Sequence, residues 1–190
     1  MEAVRQLLGS LLMVCAGGAV AADVPGEAIA RGRPDGDVPG WTIRAPAPAG
    51  WTADCCTYAR GVGVDLVIYH GEWTGEPDRV MVLNVWPRKL ASLDAELDAD
   101  RRHYLQRDPA AKVGRFPVHH RGMPCEAQVF EGSDQVDDAV VFCDPGKTSG
   151  VRLSWSVSFR DTDPRRAALL DAFMRVAIGK IGRASCRERV

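Results

Sequence analysis

The sequence predicts an α+β domain: an antiparallel sheet of about six to seven strands with two main helices packed on it. Three observations carry that expectation. Val151, Leu153, Trp155, Val157 and Phe159 alternate with Arg152, Ser154, Ser156 and Ser158, which is the period of a half-buried antiparallel strand. Two other windows, one mid-chain and one near the C-terminal end, place apolar residues at helical spacing. The remaining apolar runs are short and set the order strand, two strands, helix, several strands, helix.

Taken in order, Asp23 to Gly40 is rich in Gly, Pro, Asp and Ala and poor in large apolar residues, so residues 22–40 read as a flexible leader with order beginning at Trp41. Trp41-Thr42-Ile43-Arg44 is a short alternating strand, broken by Pro46 and Pro48. Val62 to His70 and Val80 to Trp86 are strands around a Gly/Pro/Asp turn region and should pair as a hairpin. Ser92 reads as an N-cap, with Asp94 and Glu96 in the first turn and Leu93, Leu97, Tyr104 and Leu105 on one face; Asp108-Pro109 ends that helix. Val113 to Val118 is a weak strand that Pro117 assigns to an edge or a bend. Glu126 to Phe130 and Ala139 to Phe142 flank the turn Gly132-Ser133-Asp134. Asp163 as N-cap and Pro164 at the first helical position open the last helix, whose buried stripe is expected at Leu170, Phe173, Met174, Ala177 and Ile178. One domain over 41–180 accounts for all of this.

The opening Trp41-Thr42-Ile43-Arg44-Ala45-Pro46, followed by Pro48-Ala49-Gly50-Trp51, resembles the start of PsbP-like domains, the fold shared with DcrB-type envelope proteins. In those chains, similarly, an aromatic-x-Ile strand and a Pro-x-Gly-Trp bend precede a mid-chain helix, and a Ser-rich strand leads into a C-terminal helix. The resemblance spans about Trp41 to Lys180 and lies in element order plus one short motif. The four cysteines of that region depart from it. It implies a PsbP-like fold and a non-catalytic binding or assembly role, with no particular ligand.

The two ends read differently from the middle. Arg5, the apolar run Leu7 to Ala16 and the small residues up to Ala22 have the charged, apolar and A-x-A parts of a signal peptide over residues 1–21, with cleavage near Ala22 or Asp23. A lipidated Cys15 would need Gly, Ala or Ser at position 14, where Val14 stands. Ile181 to Val190 has neither apolar period nor turn grammar. One reverse translation, ATC GGA AGA GCG TCG TGT AGG GAA AGA GTG, resembles a common sequencing-adapter read, so 181–190 is taken as a non-native scar, Cys186 included. Setting aside Arg5, Arg183, Arg187 and Arg189 from the 24 basic residues, and Glu2 and Glu188 from the 25 acidic ones, leaves 20 against 23. A net charge near −3 argues against nucleic acid or an anionic membrane surface as partner. No later apolar run is long enough for a membrane span. A preference for Arg over Lys and a single asparagine, Asn84, fit a GC-rich coding sequence, and a bacterial envelope protein is the simplest source.

Export makes disulfides the default for Cys55, Cys56, Cys125 and Cys143. If the hairpin turns about Asp134, Val129 stands opposite Ala139, Ala127 opposite Val141 and Cys125 opposite Cys143, all six on one face. A bridge between opposed strand residues needs a close-approach pair with Cα separation under about 7 Å, so Cys125–Cys143 is the expected bond. Cys55-Cys56 reads as a vicinal disulfide, a reactive thiol pair, or two staples to other parts of the domain; without C-x-x-C or a helix N-terminus nothing lowers a thiol pKa there.

Among other candidates, His70, near Glu72, and the adjacent His119 and His120 are the metal-ligand set, although neighbouring histidines diverge on extended chain. Trp73 and Trp86, near the ends of the second hairpin, are candidates to line a binding groove, with core packing as the plainer reading. Asp144-Pro145-Gly146-Lys147-Thr148 lacks the first glycine and the following helix of a P-loop and reads as a turn. Asp94, Glu96, Asp98 and Asp100 read as a solvated helix face, since positions two apart on a helix point about 200° apart. Ser154, Ser156 and Ser158 lie on the outward face of a strand with no nucleophile elbow. The reading that follows is a periplasmic or secreted, non-catalytic, disulfide-stabilised domain that needs no cofactor and binds an envelope protein or a small ligand. The alternatives are a metal-binding protein or metal-dependent enzyme built on His70, His119 and His120, and an immunity protein against a secreted toxin.

Overall fold

The computed structural model describes residues 26–73 and 79–179. The expected signal peptide, the first leader residues, Lys180 and the expected scar lie outside the described residues, as do residues 74–78. Nine strands are described: β1 (Gly26–Gly32), β2 (Trp41–Ala47), β3 (Trp51–Asp54), β4 (Leu66–His70), β5 (Arg79–Pro87), β6 (Lys112–Val118), β7 (Cys125–Glu131), β8 (Val136–Cys143) and β9 (Val151–Arg160). The helices are α1 (Tyr58–Gly61), α2 (Leu93–Arg107) and α3 (Arg166–Ile178). Seven strands form one antiparallel sheet in the order β3-β4-β5-β9-β8-β7-β6, while β1 and β2 form a separate hairpin. The architecture is α+β.

β9, last in the chain, inserts between β5 and β8 and joins the two halves of the sheet. Its alternation is real, but the exposure expected from it holds only toward its end, where Ser158 is exposed and Ser156 half-buried. Arg152 is fully buried and Ser154 nearly so, because α2 lies over the face that the alternation assigns to solvent. The opposite face carries Leu66, Ile68, Met81, Leu83, Val141, Leu153, Trp155 and Val157, and packs against α3 and the β1–β2 hairpin in one apolar core. On the α2 face, the Gln128 amide donates to the Leu97 carbonyl at 3.2 Å, and Tyr104 stacks on Phe130 at 4.2 Å between ring centroids.

Four expectations are corrected here. The leader is not structureless from Gly26 onward: β1 pairs with β2 from Gly26↔Ala47 to Gly32↔Trp41, and Ala28 and Ala30 are buried. The apolar side chains that β1 buries inward are alanines, too small to make an alternating signal stand out from a loop composition. β2 continues through Pro46, which is tolerated because β2 has a partner on one side only. The α3 stripe is also rotated: Leu169, Phe173, Val176 and Ala177 are buried, with Leu170 and Met174 at its margin. Both sets satisfy helical spacing, so the direction of approach decides between them. Asp163 does not serve as the N-cap, which falls at Arg165; its carboxylate instead accepts from the Arg165 N–H at 2.8 Å and from the Arg79 guanidinium at 2.8 Å. Ser92 does cap α2, its Oγ accepting from the Ala95 N–H at 3.1 Å.

Arg152 ties these layers together. Its Nη1 donates to Glu96 Oε1 on α2 at 2.6 Å and to the Leu90 carbonyl at 3.0 Å, and its Nε donates to Asp144 Oδ2 at 3.1 Å. Asp144 in turn pairs with Arg88. Truncating one partner of a buried ion pair leaves the others uncompensated, so Arg152→Ala is expected to lower stability in urea unfolding by about 3–5 kcal/mol, with Arg152→Lys recovering part of the loss. A loss within error of zero would mean that the cluster holds nothing together. Gly32 tests β1 separately. A Cβ at Gly32 would fall within the Trp41 indole that crosses it. Gly32→Ala is therefore expected to cost about 1–3 kcal/mol in the same assay, whereas an unstructured leader would tolerate it freely.

Candidate functional site

The candidates read from the sequence fall at separate places in the fold. Cys125 and Cys143 are paired in register on β7 and β8, with Cα atoms 4.2 Å apart and sulfurs at disulfide distance. Ala127↔Val141 and Val129↔Ala139 continue the same register, and all six residues belong to or pack against the apolar core. Cys55 and Cys56 are at bonding distance from each other, which leaves neither to staple the loop elsewhere. They lie between β3 and α1, where the Asp54 carboxylate accepts from the backbone N–H groups of Cys56, Thr57, Tyr58 and Ala59 at 2.6–3.3 Å. Burial pushes that carboxyl up, but the N–H groups of Ala59, Thr57, Tyr58 and Cys56 together hold it below its usual range.

The two cysteine pairs differ in access. Cys56 is exposed, whereas Cys143 is fully buried and Cys125 nearly so. Adjacent residues also hold their Cα atoms at 3.7 Å, below the usual disulfide span of about 4.4–6.8 Å. Under limiting dithiol in native buffer, Cys55 and Cys56 are expected to become alkylatable well before Cys125 and Cys143, as read by peptide mapping. Label arriving first on Cys125 or Cys143 would contradict this order.

The histidines do not converge. His70 ends β4, next to one edge of the sheet, and His119 and His120 follow β6 at the other edge. Five strand spacings of ~4.8 Å put roughly 24 Å between those positions, and the antiparallel order puts them at opposite ends of the strands as well. Trp51 packs near His70 at 5.8 Å between rings, and His120 Nδ1 accepts from the Gly122 N–H at 3.0 Å. Among the described residues, no group of three or more His, Cys, Asp and Glu is placed to hold a metal ion. The metal set His70, His119 and His120 is thereby withdrawn.

The tryptophans part company as well. Trp73 stacks on Tyr58 at 4.8 Å and meets Tyr69 edge-on at 5.2 Å, packing against a small second core under α1. Trp86, toward the far end of β5, lines a cleft of about 420 Å³ between α2 and the sheet. The sheet side of this cleft is Asn84 and Trp86 on β5, Ser154 and Ser156 on β9, and Val140 and Phe142 on β8; the helix side is Glu96, Ala99, Asp100 and His103. The sheet residues share one face because each is two apart from its neighbour on its own strand. The helix residues recur at three- and four-residue spacing and so share one side of α2.

Sequence reasoning missed most of this cleft. The acidic run on α2 is not one solvated face: Asp94 and Asp98 point outward, while Glu96 and Asp100 turn toward the sheet. The 200° offset between alternate positions separates the two pairs. Burial pushes the Asp100 carboxyl up; His103 and Arg107 pull it down, and Asp138 pushes it up further. Tyr104 is pushed up to about 12 by burial and by Asp138. Trp86 and Phe142 meet edge-to-face at 6.1 Å, giving the cleft an aromatic wall beside its polar groups. Compared with protein-family models and with curated proteins, the chain matches none.

Proposed function

We propose that this chain is an exported, non-catalytic binding domain of the bacterial envelope whose ligand is a small molecule held in the cleft between α2 and the sheet. One observation carries the reading: an aromatic wall of Trp86 and Phe142 stands in one concave site with convergent polar groups from two strands and a helix. A few placed polar groups in a cavity of about 300–1,000 Å³ is the usual composition of a small-ligand site. The signal-like residues 1–21 and the two cysteine pairs support export. The PsbP-like resemblance of the opening motif supports a binding role over a catalytic one. Among the described residues, no helix is long and apolar enough to cross a membrane.

Expression of the full chain in a bacterial host tests both halves. Export predicts a periplasmic product beginning near Ala22 or Asp23, with both cysteine pairs oxidised; a cytoplasmic product with an intact N-terminus would count against it. For the ligand site, a fragment screen followed by NMR should return compounds that shift the Trp86 indole N–H. Ala99→Trp, which fills the cleft from the helix side without removing a polar group, should abolish their binding. Hits that bind this variant unchanged would place the site elsewhere.

A further inference from the structure

We infer that the cleft selects an organic cation, an amine carried on an apolar or aromatic body. This deepens the small-ligand reading and rests on it. The argument is a charge inventory of the walls. Glu96 is matched by Arg152, and Asp144 by Arg152 and Arg88, so two arginines and two carboxylates cancel at that end. Asp100 remains: among the described residues, no hydrogen bond or ion pair to the protein reaches its carboxylate. Asp138, two residues before Val140 on the same face of β8, stands just beyond the cleft and adds a second negative charge, its carboxylate accepting from the Ser158 hydroxyl. The opposing cations are His103, an exposed residue that also lines the cleft beside Asp100, and Arg107, which lies over the Tyr104 ring.

The neutral groups agree with this sign. The Asn84 amide oxygen and the Ser154 and Ser156 hydroxyls are acceptors for an ammonium, and an aromatic ring attracts a cation over its face within about 6 Å. An anion is served less well: Arg152 already pairs with Glu96 and Asp144, leaving only its Nη2 without a partner, and His103 is the one basic side chain lining the cleft among the described residues. A bare metal ion is served no better, since no ligand set of three is assembled among the described residues. A desolvated carboxylate beside aromatic rings gains most from a cation that brings its own apolar surface.

The test uses three matched probes on the oxidised full chain: phenethylamine, 2-phenylethanol and 3-phenylpropionate, titrated by NMR. The inference expects the amine to bind at least about tenfold more tightly than the alcohol, the carboxylate not to bind, and Asp100→Asn to remove the amine's advantage while leaving the alcohol's affinity unchanged. Amine binding should also fall as pH drops through the titration of Asp100, the group faced by His103 and Arg107 on α2 and by Asp138 on β8. Equal binding of amine and alcohol with shifts at Trp86 would overturn the cationic class and leave the cleft standing. Binding by none of the three, or binding that survives Ala99→Trp, would overturn the cleft itself.

Discussion

A fully buried guanidinium sets the terms for this fold. Taking Arg152 out of water carries a desolvation penalty of several kcal/mol, which carboxylates offset only when held at hydrogen-bond distance with good geometry. Here the partners come from three places: Glu96 on α2, Asp144 after β8, and the Leu90 carbonyl in the segment leading into α2. Each of those segments is therefore constrained relative to β9. Because β9 is the strand that joins the two halves of the sheet, α2 is tied to the one element that touches both. The ion cluster specifies where α2 lies more than it adds net stability, in keeping with the modest net worth of buried pairs.

The two faces of the sheet are consequently built by different physics. Under α3 and the β1–β2 hairpin, close packing of aliphatic and aromatic side chains excludes water, and the Cys125–Cys143 pair lies within that core. On the other face, α2 is held by an ion cluster at one end and by the Tyr104–Phe130 stack and the Gln128–Leu97 hydrogen bond further along. A helix held at such points over serine, asparagine and tryptophan does not interdigitate with the strands as an apolar stripe would. The cleft is the space left between. The site follows from the mismatch between a polar helix face and a mixed sheet face.

The vicinal pair Cys55–Cys56 lies at the margin of the apolar core, which Cys55 packs against. It begins a short turn organised by the Asp54 carboxylate, beside the aromatic cluster of Tyr58, Tyr69 and Trp73. That cluster covers the outer strands where α2 does not reach, so the turn closes the α2 face of the sheet at its β3 edge.

Much of the architecture was legible in local pattern. The period-2 run of β9, the Ser92 cap, the hairpin register that opposes Cys125 to Cys143, and the two long helices all follow from steric and hydrogen-bonding rules acting within a few residues. Relations between distant elements were not legible. Periodicity places Arg152, Ser154 and Ser156 on one face of a strand but is silent on whether a helix will cover that face. It marks Glu96 and Asp100 as opposite in direction to Asp94 and Asp98 but not which pair turns inward. It leaves Ala28 and Ala30 looking like leader, because small side chains carry little hydrophobic signal until a partner strand buries them. Composition and pattern by themselves determined an α+β chain with paired cysteines and a negative charge. The tertiary structure alone decided that the histidines lie at opposite edges and that Trp86 meets Asp100 across a cleft, because strand order and helix docking are set by contacts that only the folded chain makes.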